Sequence, residues 1–183
     1  RLDDMIRREL NSATDNPLIF PDPANPGPQE VVSQGNFHGE IVALTCDAMS
    51  LALFELASIS ERRMDQMLDP ARSGLPAFLA TNSGLESGLM IVQYVAGSSL
   101  AELHGQATPR SAFSTSTSAG QEDHVSMGAT AAWNLVKGVR RLSEVLACEL
   151  LIASEALEHT PLASSVHVQG LHDLVRSVAP ALN

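Results

Sequence analysis

Two stretches of this 183-residue sequence repeat apolar residues at helical spacing with few interruptions. One runs from Glu40 to about Met67, carrying Ile41, Leu44, Ala48, Leu51, Leu56 and Ile59, and Asp69-Pro70 stops it. The other begins near Gln121 and runs to about Glu158. At 1.5 Å per residue that second stretch is roughly 57 Å long. A compact domain of this length is only about 40 Å across. Leu51, Leu53, Phe54 and Leu56 face several directions of the first stretch. Helices apolar around most of their circumference are buried on all sides. The pattern therefore predicts an all-α, long-helix bundle whose helices pack against other subunits or against the rest of a longer chain.

The remaining elements are shorter. Residues 1–10 read as the last turns of a helix with no cap before them, which suggests a piece of a longer chain. Asn11 to Pro17 is turn-forming, and Pro21 to Pro28 holds four prolines and a glycine. A second apolar helix is predicted from about Leu85 to Leu103, then a Ser/Thr-rich loop from Thr108 to Gly120. Thr160-Pro161 separates a terminal helix over about Ser164 to Val178. No strand alternation and no repeat is evident. The expected organisation is a single helical fragment: helix end and loop over 1–34, long core helices over 35–158, terminal helix over 159–183.

Composition narrows the function classes. Hydrophobic residues are 44% and charged residues 17%, which fits a packed core. Aromatics are only 4%, which favours helix over sheet. A net charge of −10 argues against nucleic acid and anionic membrane surfaces as partners. Charged residues interrupt the apolar stretches, so no membrane-spanning helix is expected. Cys46 and Cys148 lie in apolar helical pattern and read as buried free thiols in a reducing compartment, hence a cytoplasmic location.

Each long stretch is entered through a polar, ionisable cluster: Gly35-Asn-Phe-His-Gly-Glu40 and Gln121-Glu-Asp-His-Val125. A helix N-terminus carries free N–H groups and partial positive charge, and so holds carboxylates or an anionic ligand. For the second cluster, capping is one reading, because Ser118 to Gln121 matches Ser-x-x-Gln. The other makes Glu122 an active-site carboxylate that holds a substrate ammonium or takes a proton. In the first cluster Phe37 is either a hydrophobic staple or part of a backbone that approaches a ligand closely, which its two glycines allow. His38, Glu40, Glu122, Asp123 and His124 are acceptable metal ligands, but no HExxH or paired-Cys motif accompanies them, and no metal is expected. His104, His159, His167 and His172 fall in helical surface pattern.

Five ordered stretches carry a resemblance. They are Asn11-Ser-Ala-Thr-Asp-Asn-Pro17, Gly35-Asn-Phe-His-Gly-Glu40, Glu61-Arg-Arg63 with Leu68-Asp-Pro70, Ser73-Gly-Leu-Pro-Ala-Phe78, and Gln121-Glu-Asp-His-Val-Ser-Met127. Over about Leu10 to Leu157 the sequence resembles the C-terminal part of the histidine ammonia-lyases, within the aromatic amino-acid lyase and aminomutase family. Gln-Glu-Asp-His is the variant that separates them from the phenylalanine and tyrosine enzymes, which look like Asn-Gln-Asp there. The resemblance implies a mostly helical homotetramer with active sites shared between subunits. It implies elimination of ammonia from L-histidine to give trans-urocanate, on a methylidene-imidazolone group formed from an internal Ala-Ser-Gly. No Ala-Ser-Gly occurs in these 183 residues. A missing N-terminal part would supply it, and the chain alone would be inactive. Carried over by motif, Phe37 packs beside the electrophile and the substrate, Glu122 contacts the substrate's polar end, and Gln121 supports that shell. The family's Ser-Glu-Asn-Lys-like stretch is replaced here by Ala101-Glu-Leu-His104. A lyase or aminomutase for another aromatic amino acid, or a non-catalytic helical assembly module, remain the alternatives.

Overall fold

The computed structural model describes residues 2–24, 30–160 and 164–182. The expectations for Arg1, Pro26, Pro28 and Pro161 fall outside the described residues. Among the described residues six α-helices carry the fold: α1 (Leu2–Leu10), α2 (Glu40–Leu68), α3 (Pro70–Ser73), α4 (Met90–Gln106), α5 (Gly128–Glu158) and α6 (Val166–Val178). The all-helical reading holds, with one addition. Leu18–Phe20 (β1) and Glu30–Val32 (β2) pair antiparallel, with Ile19 opposite Val31. Strands of three residues are too short to show alternation in sequence.

Helix ends follow local chemistry. α2 stops at Leu68, and Asp69 then caps the one-turn helix α3, accepting a hydrogen bond from Ala71 N at 2.9 Å with Pro70 in the first position. α4 begins at Met90 rather than Leu85, and α5 at Gly128 rather than Gln121. Ala101 to His104 lies inside α4. Before α4, Gly88 holds φ +48° against the backbone of residues 78–80. A Cβ there would overlap the Phe78 carbonyl oxygen and lie 3.0 Å from Ala80 N, so only glycine fits.

The chain forms two compact units, residues 1–51 with 108–136 and residues 52–107 with 137–183. In the first, α2 and α5 run side by side through small residues. Ala43, Cys46 and Ala131 form the buried cluster, flanked by Val42, Ala132 and Leu135. Thr45 of α2 also donates to Met5 Sδ of α1 at 3.3 Å.

In the second unit Met64, Leu79, Leu103, Val145 and Ile152 are fully buried. Polar seams then fix the helix register. Ser60 donates to Glu149 Oε2 at 2.5 Å, and Arg63 forks onto the same carboxylate. Ser99 donates to Glu144 at 2.7 Å, while Arg141 joins Glu144 to Glu102. Gln93 reaches Glu61 and Asp65, both at 3.2 Å. Arg176 of α6 reaches the buried Glu155 at 2.7 Å.

By length and composition α2 is apolar enough to cross a membrane, against the sequence expectation. Its buried Asp47, Ser50, Ser60 and Glu61 all make hydrogen bonds within their own units, the pattern of a core helix. Of the two cysteines Cys46 is buried and Cys148 only partly so, and burial raises both thiol pKa values.

The Arg63 hydrogen bond, helped by Ser60, holds the Glu149 carboxyl below its ordinary range. A carboxylate depressed in the folded state adds stability above its unfolded pKa, near 4.5, and loses it as pH falls through the folded value. Glu149→Gln should therefore melt lower than the parent at pH 7, and the gap should close below about pH 4.5. Thermal melts of both proteins from pH 7 to pH 3 check this.

Candidate active site

The approach to α2 is built from four neighbouring segments of the first unit. Asn16 Oδ1 accepts from Gln34 N at 3.0 Å and Ser33 Oγ at 3.2 Å, tying the Asn11–Pro17 turn to the end of β2. Gln34 Oε1 then accepts from Asn36 N at 2.8 Å, and Asn36 Nδ2 donates to Glu9 of α1 at 3.2 Å. Asn36–His38 make one 3₁₀ turn, closed by Gly39 at φ +70°. The Gly39 carbonyl accepts from Val42 N and Ala43 N, which starts α2.

Phe37 is 40% exposed and stacks at a tilt on His38, ring centroids 4.4 Å apart. With Ile6, Leu10, Asn36, His38 and Val42 it lines an open cavity of about 380 Å³. Phe37 thus faces open space on one side.

The 108–127 loop is anchored at both ends. Asp47 of α2, 4% exposed, accepts from Ser111 N at 2.8 Å and Ser111 Oγ at 2.7 Å, both on Oδ2. Its Oδ1 has no hydrogen-bond partner among the described residues. Ser114 Oγ accepts from Val125 N at 3.0 Å. Thr117 and Glu122 exchange backbone hydrogen bonds across a tight turn in which Ser118 and Ala119 hold φ +54° and +57°.

At the far end, Ser126 Oγ donates to the His38 carbonyl at 2.8 Å and accepts from Gly128 N at 3.1 Å. Met127, at φ +54°, separates Ser126 from α5. Non-glycine residues in this left-handed region cost roughly 1–2 kcal/mol each. The strained positions therefore flank Gln121 to Asp123 on both sides.

This corrects the helix-start reading. Ser118 and Gln121 form no capping box: Gln121 N donates to Ser118 O within the turn. The Gln121 and Asp123 side chains are exposed, without hydrogen-bond partners among the described residues. Glu122 lies in the loop, and Ser126 performs the capping.

The two sequence clusters nonetheless meet, and they meet crossed. His38 Nε2 of the first lies 3.1 Å from Glu122 Oε2 of the second. His124 Nε2 of the second lies 3.2 Å from Glu40 Oε2 of the first. The His38–Glu122 pair is the more sheltered, at 24% and 35% side-chain exposure against 59% and 39%. Among the described residues no group of three or more His, Cys, Asp or Glu is placed to hold a metal ion. A carboxylate oriented by an imidazole, beside an exposed aromatic ring and a cavity, can bind an N–H-bearing or cationic ligand and accept a proton.

Asp47 escaped the sequence reading. Its signal is an acid inside an apolar helical run, which is tolerated only where the charge finds donors. Asp47→Ala would leave the Ser111 N–H and O–H unpaired and should cost about 1–3 kcal/mol. Ser126→Ala, which loses a cap, should cost about 1 kcal/mol. Urea melts check both, and hydrogen exchange should quicken across residues 111–126 in Asp47→Ala.

The profile of a family described as aromatic amino acid lyase matches residues 1–177. Over 174 residues the chain is 49% identical to a histidine ammonia-lyase of Deinococcus radiodurans, covering 95% of the chain and 32% of that protein. It superposes on histidine ammonia-lyase from Trypanosoma cruzi with a TM-score of 0.89 and 43% identity, covering 98% of the chain and 35% of that structure. A phenylalanine aminomutase of Pantoea agglomerans gives a TM-score of 0.85 and 34% identity, covering 99% and 36%. The chain spans about a third of the length of the relatives it matches.

Proposed function

The chain belongs to the aromatic amino acid lyase family, and on that premise we propose that it is the C-terminal part of a histidine ammonia-lyase, converting L-histidine to trans-urocanate and ammonia. The observation that carries this reading is the His38–Glu122 pair, which joins the two motif clusters beside the exposed ring of Phe37. In this reading Glu122 contacts the substrate's polar end and takes up a proton. Phe37 supplies an apolar face for the substrate ring. Gln121 has the weaker support, since its side chain is exposed and bonded to nothing described.

The methylidene-imidazolone group supplies an electrophile when present. The exposed face of Phe37 and the 380 Å³ space beside it fit a flat ring of that kind. The 183 residues contain no Ala-Ser-Gly from which to form it. The preceding part of the protein would contribute that sequence, and the present chain would act only together with it.

The second reading, a lyase or aminomutase for another aromatic amino acid, draws on the likeness to the Pantoea agglomerans phenylalanine aminomutase. Urocanate absorbance with L-histidine, run beside assays on L-phenylalanine and L-tyrosine, separates the two. The whole protein should form urocanate, and the 183-residue chain alone should form none above contaminant controls. Glu122→Gln in the whole protein should lose at least about tenfold in turnover, about 1.4 kcal/mol of barrier. Full turnover at unchanged stability would remove Glu122 from the site. Absence of Ala-Ser-Gly from the whole protein would favour a non-catalytic assembly module.

We further propose a cytoplasmic homotetramer. Large apolar side chains stand exposed on several helices, among them Trp133 at 66% and Tyr94 at 68%. Surfaces of that kind drive association. Sedimentation at micromolar concentration should show an oligomer, and a monodisperse monomer would overturn this.

A further inference from the structure

Glu122 sits on a loop, without a helix N-terminus to hold its carboxylate. Among the described residues, its side chain makes one hydrogen bond, to His38 Nε2. A free glutamate has several rotamers, and ordering it costs side-chain entropy. Whatever fixes the carboxylate must offset that cost, and His38 is itself held on three sides. Its carbonyl accepts the Ser126 hydroxyl at 2.8 Å. The left-handed Gly39 closes the turn behind it. The Phe37 ring lies against its imidazole at 4.4 Å. Oε2 of Glu122 is therefore engaged, while Oε1 has no hydrogen-bond partner among the described residues. The second pair, Glu40 with His124, is more exposed and so contributes less to the same junction.

We infer that His38 is a positioning residue, one that fixes Glu122 through Oε2 and thereby presents Oε1 to an N–H-bearing group of the amino-acid substrate. This rests on the role proposed above for Glu122. His38 lines the cavity shared with Phe37, whereas Glu122 does not line it. The imidazole is thus the physical link between the apolar side of the site and its carboxylate. A purely structural histidine would affect stability and leave the effect of Glu122 substitution untouched. A positioning histidine would act only while the carboxylate is there to be positioned.

A double-mutant cycle in the whole protein separates these cases. His38→Ala, His38→Gln, Glu122→Gln and the double variant H38A/E122Q are assayed for kcat and KM on L-histidine, with thermal melts. His38→Ala should lower kcat/KM at least about tenfold. Adding it to Glu122→Gln should change kcat/KM by less than about threefold, because the group it serves is gone. His38→Gln, whose amide nitrogen can occupy the place of Nε2, should recover most of the loss. If His38→Ala melts below the assay temperature, His38→Asn replaces it in the cycle, since its shorter amide falls short of Glu122. Effects that multiply in the double variant would overturn the inference. So would a His38→Ala protein within twofold of the parent while Glu122→Gln is impaired, and Glu122 would then keep its role. Should Glu122→Gln itself turn over normally, both the role of Glu122 and the inference built on it fall.

Discussion

Everything in the candidate site depends on how closely α2 and α5 approach within the first unit. Ala43 and Ala131 are fully buried and Cys46 nearly so. With side chains this small at the contact, the axes can lie near the low end of the 8–10 Å range for packed helices. Gly128 continues the same logic at the head of α5. A Cβ there would come 3.7 Å from the Gly39 carbonyl and 3.9 Å from the Ala43 Cβ, and within 3.2 Å of Ser126 Oγ. The helix heads are thus brought together by the absence of bulk, and the polar clusters preceding them fall within hydrogen-bond reach. A branched residue at Ala43 or Ala131 would wedge the helices apart and draw His38 away from Glu122 without touching either.

Much of this was legible in sequence, for reasons specific to each element. The apolar period gave α2 from Glu40 to its stop before Asp69-Pro70, and gave the end of α5 at Glu158. The head of α5 was misplaced because Gln121, Glu122 and Asp123 are chemically suited to a first turn. The residues that forbid a helix there act through geometry invisible in sequence: Met127 with positive φ, and Thr117 pairing with Glu122. The crossed pairs join residues 84 apart in the chain, so no spacing rule reaches them. Only the recognition that both clusters belong to one family pattern placed Phe37 and Glu122 together beforehand. Gln121 was carried over from the same motif, and in the turn after Ala119, at φ −64° and ψ −40°, its side chain is exposed.

The 111–127 loop shows what holds strained backbone in place. Ser118, Ala119 and Met127 all adopt left-handed φ values without being glycine. Such conformations persist where the surroundings over-determine them. Here the surroundings are identifiable: Asp47 on Ser111, Ser114 on Val125, and Ser126 on the His38 carbonyl. Three of these anchoring groups are serine hydroxyls, and two of them, Ser111 and Ser114, belong to the Ser/Thr-rich stretch from Thr108 to Gly120. The serines satisfy backbone and carboxylate groups that the strained path leaves without helical or sheet partners.

Moving Glu122 from a helix head to a loop changes what kind of site this is. A helix N-terminus favours negative charge through a fixed array of N–H groups, diffuse and insensitive to any one side chain. In the loop, the orienting interaction is concentrated in one imidazole, at a defined oxygen. That makes the carboxylate's direction depend on the 3₁₀ turn over Asn36–His38, and through Asn36 and Glu9 on α1. It also depends on Ser126, since the same hydroxyl caps α5 and grips the His38 carbonyl. A disturbance at α1, at the Asn16 turn or at the head of α5 would each reach Glu122 by the same route, the rotation of His38.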